Sequence, residues 1–190
     1  MRSHRSATAA PPGEVNDLCI QAATINGSGS QSSNLVITKA LFHMGIPVAA
    51  KNVFPSNIEG LPTWYDIRIT PRGYQCRKRT VDILIAMNPQ TFVEDAANVR
   101  PGGAVIHEQA LVRVGAALRE DVAWYPVPFA RLAKERLEAK PDLRKYLQNM
   151  IYVGVLQELI GLDPAAVERG VRDQFRTKPK AADLNLTAIS

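Results

Sequence analysis

What most constrains this chain is an ordered succession in its first fifty residues: strand, glycine-rich loop, helix, strand. Residues 15–25 are apolar and rich in β-branched side chains, and Asn26-Gly27-Ser28-Gly29-Ser30 then breaks the run. Leu35, Val36, Ala40, Leu41 and Met44 recur at helical spacing, and Gly45 stands where a helix stops. Ile46-Pro47-Val48-Ala49-Ala50 begins a second strand. Such a unit places its two strands parallel, joined by a right-handed crossover.

The remaining punctuation extends that plan. Residues 64–70 alternate as a strand, Pro71-Arg72-Gly73 signals a turn, and residues 74–77 are predicted to pair back as a hairpin. The largely apolar run 81–87 reads as a strand buried on both faces. Asn88-Pro89-Gln90 opens a short helix reaching about Val99, with Pro89 in its first turn. Pro101-Gly102-Gly103 turns into a strand over 104–107, and another strand is predicted near 122–127. Helices follow over 129–138 and 143–160, and a third, capped by Asp163, runs to about Arg176. The fold class is therefore α/β, a mostly parallel or mixed, curled sheet with flanking helices and a helical C-terminal third. Residues 1–14, rich in Arg, Ser, Ala and Pro, read as a disordered tail, residues 15–177 as one domain, and residues 178–190 as an extended linker or tail.

Composition narrows the function. Lys and Arg exceed Asp and Glu by 23 to 18, a net charge of +5, which suits phosphate-bearing ligands or an acidic protein partner. The cations are scattered and aromatics are few, so nucleic acid is disfavoured. Two cysteines, Cys19 and Cys76, form no CxxC pair and cannot by themselves assemble a cluster or a zinc site. Such sparse cysteine fits the reducing cytoplasm. No apolar stretch has membrane-spanning length.

The first candidate site is the loop Asn26, Gly27, Ser28, Gly29 and Ser30, with Ser32 just beyond. Glycines let backbone approach a ligand, and the following helix start offers free N–H groups to a phosphate. The spacing nearly matches a dinucleotide fingerprint, but Lys51 and Asn52 stand where an acid for ribose is required, so a nicotinamide dinucleotide is disfavoured. The alternative is a plain βα turn with Ser30 or Ser32 as helix cap. The second candidate is the segment 51–68, in which Lys51, Asn52, Asn57, Gly60, Trp64 and Tyr65 mix charge, amides and aromatics as a lid or an interface does. His43 and His107 form no metal motif, and no catalytic residue is assigned.

Several segments resemble one family. Val15-Asn16-Asp17, the glycine loop, Met44-Gly45-Ile46-Pro47-Val48 and above all residues 51–65 (Lys-Asn-Val-Phe-Pro-Ser-Asn-Ile-Glu-Gly-Leu-Pro-Thr-Trp-Tyr) resemble the γ domain of 2-oxoacid:ferredoxin oxidoreductases. Ala86-Met87-Asn88-Pro89-Gln90-Thr91 and Val99-Arg100-Pro101-Gly102-Gly103 extend the likeness, which is nearest to the N-terminal domain of the 2-oxoglutarate α subunit. It implies a fold like domain III of pyruvate:ferredoxin oxidoreductase. It implies CoA-dependent oxidative decarboxylation of a 2-oxoacid, with thiamine diphosphate, magnesium and iron–sulfur clusters on partner α and β subunits and ferredoxin reached through the complex. No cofactor is expected on this chain alone. The loop residues 26–32 and the segment 51–65 would help enclose coenzyme A, with Lys51 making a charged hydrogen bond to it. Relatives continue beyond the position of Ser190 into a thiamine-binding domain, so this chain reads as a separate γ subunit or part of a longer polypeptide. A stand-alone nucleotide- or CoA-binding module and a structural interaction domain remain the alternatives.

Overall fold

The computed structural model describes residues 16–112, 118–136 and 141–190, so the expected N-terminal tail lies outside the described residues. Six strands form one sheet: β1 (Leu18–Ile25), β2 (Val48–Val53), β3 (Pro62–Ile69), β4 (Val81–Ala86), β5 (Val99–Glu108) and β6 (Ala123–Val127), in the order β2-β3-β1-β4-β5-β6. β1, β4, β5 and β6 run parallel, whereas β3 is antiparallel to both β1 and β2. The sheet is therefore mixed. β1 and β2 share a direction, as the opening unit demands, but β3 lies between them.

That placement corrects the expected hairpin. Residues 74–77 form no strand, and β3 pairs with β1 and β2 instead. The reason is burial on both faces. Tyr65, Ile67 and Ile69 face one side, Asp66 and Arg68 the other, and all five are buried. An edge hairpin would have left one set in water.

The helices are α1 (Ser30–His43), α2 (Phe92–Ala97), α3 (Phe129–Arg136), α4 (Pro141–Ile160), α5 (Pro164–Gln174) and α6 (Pro179–Ile189). One sheet face carries Ile20, Ala22, Ile67 and Ile85 and packs under Val36 and Ile37 of α1, with α4 and α5 behind. The other carries Cys19, Ala23, Leu84 and Val105 and packs under Ala96 of α2. The crossover from β1 leads toward β2, and that from β4 leads toward β5, on opposite sides of the sheet. Right-handed crossovers that diverge put α1 and α2 on opposite faces and open a crevice above the carboxyl ends of β1 and β4.

Two further expectations change. Pro89 precedes the short helix α2 and is not part of it. The segment from Lys178 is helix α6, with Pro179 in its first turn and Ala182, Asn185 and Ala188 buried. Those three small residues, spaced three apart, let α6 lie close on α4. Asp163 caps α5 as expected, its carboxylate accepting from the N–H of Ala165 at 3.0 Å.

Candidate functional site

The glycine loop crosses the carboxyl end of β1, the place where open α/β sheets bind ligands. Its shape follows from two glycines with φ near +80°, Gly27 at 83° and Gly29 at 82°. Each is also crowded. A β-carbon on Gly27 would come within 2.6 Å of Glu59 Cγ, and one on Gly29 within 2.5 Å of Tyr146 Cδ1. The loop is thus pressed between the segment after β2 and the start of α4.

Hydrogen bonds fix it there. The N–H of Asn26 donates to the carbonyl of Leu61 at 2.8 Å, and the N–H of Gly60 returns to the carbonyl of Asn26 at 3.0 Å. The Asn26 amide donates to the carbonyl of Ile58 at 3.0 Å, and Asn149 of α4 donates to the carbonyl of Ser28 at 2.7 Å. The hydroxyls of Thr24 and Ser30 share a buried bond at 2.7 Å. Ser30 therefore spends its hydroxyl within the strand–helix corner, and Gly29 at the N-cap offers no side chain. Helix α1 has no side-chain cap and no acid in its first turn, so its partial positive end is available to a ligand.

Three cavities ring the loop. The first, of about 270 Å³, lies between Asn26, Gly29 and Ser30 on one side and Asn52, Thr63 and Tyr65 on the other. Thr24, Gly27, Trp64, Gln31, Asn34 and Tyr146 complete its wall. It contains no charged side chain, and its polarity comes from amides, hydroxyls and the helix end. Tyr152, fully buried, donates its hydroxyl to Asn34 Oδ1 at 2.8 Å, which turns the Asn34 amide nitrogen away from that bond. Burial raises the Tyr152 and Tyr65 phenols above their ordinary values, so both stay protonated. The second cavity, of about 300 Å³, shares Asn26 and Gly27, adds Ser28 and Gly60, and carries Lys145 and Glu59. The third, of about 510 Å³, is an apolar groove over Leu143, Leu147, Met150 and Phe175, entered past Gly29 and Ser32 and rimmed by Lys178 and Lys180. Tyr146 stands between the first cavity and the groove and borders both.

The structure thus gathers Asn26, Gly27, Ser28, Gly29, Ser30, Ser32, Asn52, Gly60 and Tyr65 around one loop, while Trp64 borders the first cavity but turns its indole to the opposite face, where it bonds Asp95. It does not gather Lys51. Neighbours in a strand point to opposite faces, so Lys51 lines a separate cavity on the other side of the sheet, with Asp66 and Arg77. Asn57 is exposed and borders neither the first nor the second cavity. Gln31 and Glu59 fall within the expected segments 26–32 and 51–65, whereas sequence reasoning missed Asn34, Lys145, Tyr146 and Asn149. Gln31 and Asn34 lie one helical turn apart at the start of α1, a signal that was legible. The α4 residues arrive more than one hundred positions away in sequence and carried none.

The match to known proteins is extensive. The family model for pyruvate ferredoxin/flavodoxin oxidoreductase covers residues 19–190. The chain belongs to this family. Among curated members, the ketoisovalerate oxidoreductase subunit VorA of Methanothermobacter marburgensis is 30% identical over 110 residues, 58% of this chain and 22% of that one. The 2-oxoglutarate synthase subunit KorC of Methanocaldococcus jannaschii is 26% identical over 111 residues, 57% of this chain and 55% of that one. The chain spans between 13% and 55% of the length of the curated relatives it matches. The 2-oxoglutarate:ferredoxin oxidoreductase of Magnetococcus marinus, solved with 2-oxoglutarate, coenzyme A and succinyl-CoA bound, superposes with a TM-score of 0.77 at 26% identity, covering 93% of this chain and 30% of that one. The γ subunit of a keto/oxoacid ferredoxin oxidoreductase from Geobacter sulfurreducens shares the fold, with a TM-score of 0.71 at 17% identity over 90% of this chain and 94% of that one. The family and the γ-type fold expected from residues 51–65 are those found.

Among the described residues, no group of three His, Cys, Asp or Glu side chains is placed to hold a metal ion. Cys19 is buried and Cys76 exposed, both as free thiols. Among the described residues no helix is long and apolar enough to cross a membrane.

Proposed function

We propose that this chain is the γ-type domain of a 2-oxoacid:ferredoxin oxidoreductase acting on 2-oxoglutarate, and that it encloses coenzyme A beside an active centre carried by partner polypeptides. The observation that carries this reading is the glycine loop itself, whose uncapped helix end opens into a cavity walled by amides and hydroxyls. Such a wall suits the amide-rich arm and phosphates of coenzyme A: N–H donors and the helix dipole meet oxygen atoms without a buried charge. Lys145 stands in the adjoining cavity and supplies a cation for a phosphate. The superposition on an enzyme solved with coenzyme A bound supports the choice of ligand.

Thiamine diphosphate, magnesium and iron–sulfur clusters are assigned to partner α and β subunits, and ferredoxin receives electrons through that complex. Two cysteines are too few thiolates to ligate a cluster by themselves. The part of this chain is to bind and orient coenzyme A and to exclude water from the side it covers.

The test is reconstitution. The chain is co-expressed with the thiamine-binding polypeptides, and viologen reduction is followed with 2-oxoglutarate and coenzyme A. The expected result is activity that needs all components and a coenzyme A KM that rises in loop variants. Full activity of the partners without this chain, or decarboxylation by this chain alone, would overturn the reading.

A further inference from the structure

The residue that the loop leaves out marks a second surface. Lys51 projects from the edge strand β2 into a cavity of about 790 Å³ shared with Phe54, Asp66, Arg68, Cys76 and Arg77. This is the sheet face opposite α1. The helix on that face, α2, packs on β4 and β5. Beside the β2 and β3 half runs the segment 71–80, which holds Arg72, Arg77, Lys78 and Arg79 and no acid.

The charges here are connected. Arg77 pairs with Asp66 at 3.0 Å, and Arg68 beneath it pairs with Asp17. Lys78 bridges Asp17 at 3.3 Å and Asp82 at 3.5 Å, and Arg100 closes the row on Asp82. With Lys51 and Arg79, six cations meet three carboxylates among the described residues, a surplus of three beside the same half of the sheet. Tyr74 is 51% exposed and Phe54 49% exposed in the same region. Arginine with exposed aromatics is the composition of protein interfaces, where planar guanidinium groups and rings supply most of the energy.

We infer that this face docks the acidic surface of a partner polypeptide. The partner is one of the thiamine-binding subunits, and the choice of partner rests on the proposed function. The three carboxylates interleaved with the cations favour a folded acidic protein over nucleic acid. They hold guanidinium groups at fixed positions, which suits discrete carboxylates, and they repel a continuous phosphate backbone. The coenzyme A loop and the docking face then lie on opposite sides of the sheet, so one domain can grip a subunit with one face and cover cofactor with the other.

Cys76 is a built-in reporter, an exposed thiol on this face, while the other cysteine, Cys19, is 1% exposed. Maleimide labelling of Cys76 is compared in the isolated full chain and in the complex co-expressed with the thiamine-binding polypeptides. The expected result is labelling at least ~10-fold slower in the complex. In the Lys51→Gln/Arg79→Gln variant, assembly weakens ~10-fold at low salt, the loss shrinks as salt rises, and the melting temperature of the isolated chain stays unchanged. A complex in which Cys76 labels at its free rate overturns the docking face and leaves the proposed function standing. Absence of any complex overturns the proposed function and the assigned partner together. Protection of Cys76 in the isolated chain by self-association, or by a duplex DNA at about 150 mM salt, overturns the inference in favour of that occupant.

Discussion

Gly29 lies directly beneath the ring of Tyr146: a β-carbon at position 29 would stand 2.5 Å from Tyr146 Cδ1. The contact joins the loop after β1 to the first turns of α4 and sets the wall between the polar cavity and the apolar groove. Gly29→Ala carries two penalties, a left-handed backbone that a β-carbon disfavours and a ring that must move. The backbone part amounts to roughly 1–3 kcal/mol, which for a chain of this size lowers the melting temperature by a few degrees per kcal/mol. The coenzyme A KM rises as well. In the double variant Gly29→Ala/Tyr146→Ala the steric part is recovered and the backbone part is not, so the two effects are less than additive. Calorimetric scans of the four proteins in the cycle check this.

On the other side of β3, the indole N–H of Trp64 donates to Asp95 Oδ1 at 2.8 Å, tying the sheet to α2. Burial raises the Asp95 proton affinity above the ordinary carboxylate range, the hydrogen bond from Trp64 opposes it, and the nearby Glu94 charge adds to it. The native state therefore binds more protons than the unfolded chain between about pH 4 and the raised value, and stability falls as pH rises through that window. Asp95→Asn keeps an acceptor for Trp64 and removes the slope. Trp64→Phe removes the donor, costs about 1–3 kcal/mol at neutral pH, and moves the window upward. Urea unfolding at a series of pH values separates these outcomes.

The sheet's parallel half and the position of the glycine loop were legible because they rest on local signals: β-branched runs, a helix-spaced apolar stripe, glycines at the strand end. The insertion of β3 between β1 and β2 was not legible. It is decided by where Tyr65, Ile67 and Asp66 find cover, which is a tertiary fact. The family likeness of residues 51–65 pointed to the neighbourhood of the candidate site, yet strand alternation splits that segment between two faces. Asn52 and Tyr65 are cross-strand partners on the α1 side, and Lys51 and Asp66 are partners on the other. Helix α6 was hidden because Pro179 stops a pattern as readily as it starts one.

Where α6 meets α4, Gly154 is buried, and a β-carbon there would collide with the carbonyl of Ile189. Gly154→Ala should therefore lift α6 and destabilise the chain by roughly 1–3 kcal/mol. A chain shortened to end at Lys178 loses the same docking. In that shortened chain Gly154→Ala has nothing to strike, and alanine's helix preference makes it neutral or stabilising by about 0.5–1 kcal/mol. Equal losses in both backgrounds would assign the effect to α4 alone.

The sharpest comparison is between two neighbours, Lys51 and Asn52. Asn52 faces the loop cavity, and its Oδ1 accepts from the hydroxyl of Thr63 at 3.4 Å. Lys51 faces away, into the cavity with Arg77. A charged hydrogen bond from Lys51 to coenzyme A, natural to expect from sequence, would have to cross the sheet. With the partner subunits saturating, Lys51→Ala should leave the coenzyme A KM within about twofold, whereas Asn52→Ala should raise it several-fold, the loss of one hydrogen bond of about 1 kcal/mol. Subunit affinity should respond in the opposite pattern, weakening for Lys51→Ala and unchanged for Asn52→Ala. Steady-state kinetics and a titration of subunit binding on the same two variants give both readouts, and a KM effect from Lys51 at saturating subunits would place coenzyme A on the wrong side of β2 for the site described above.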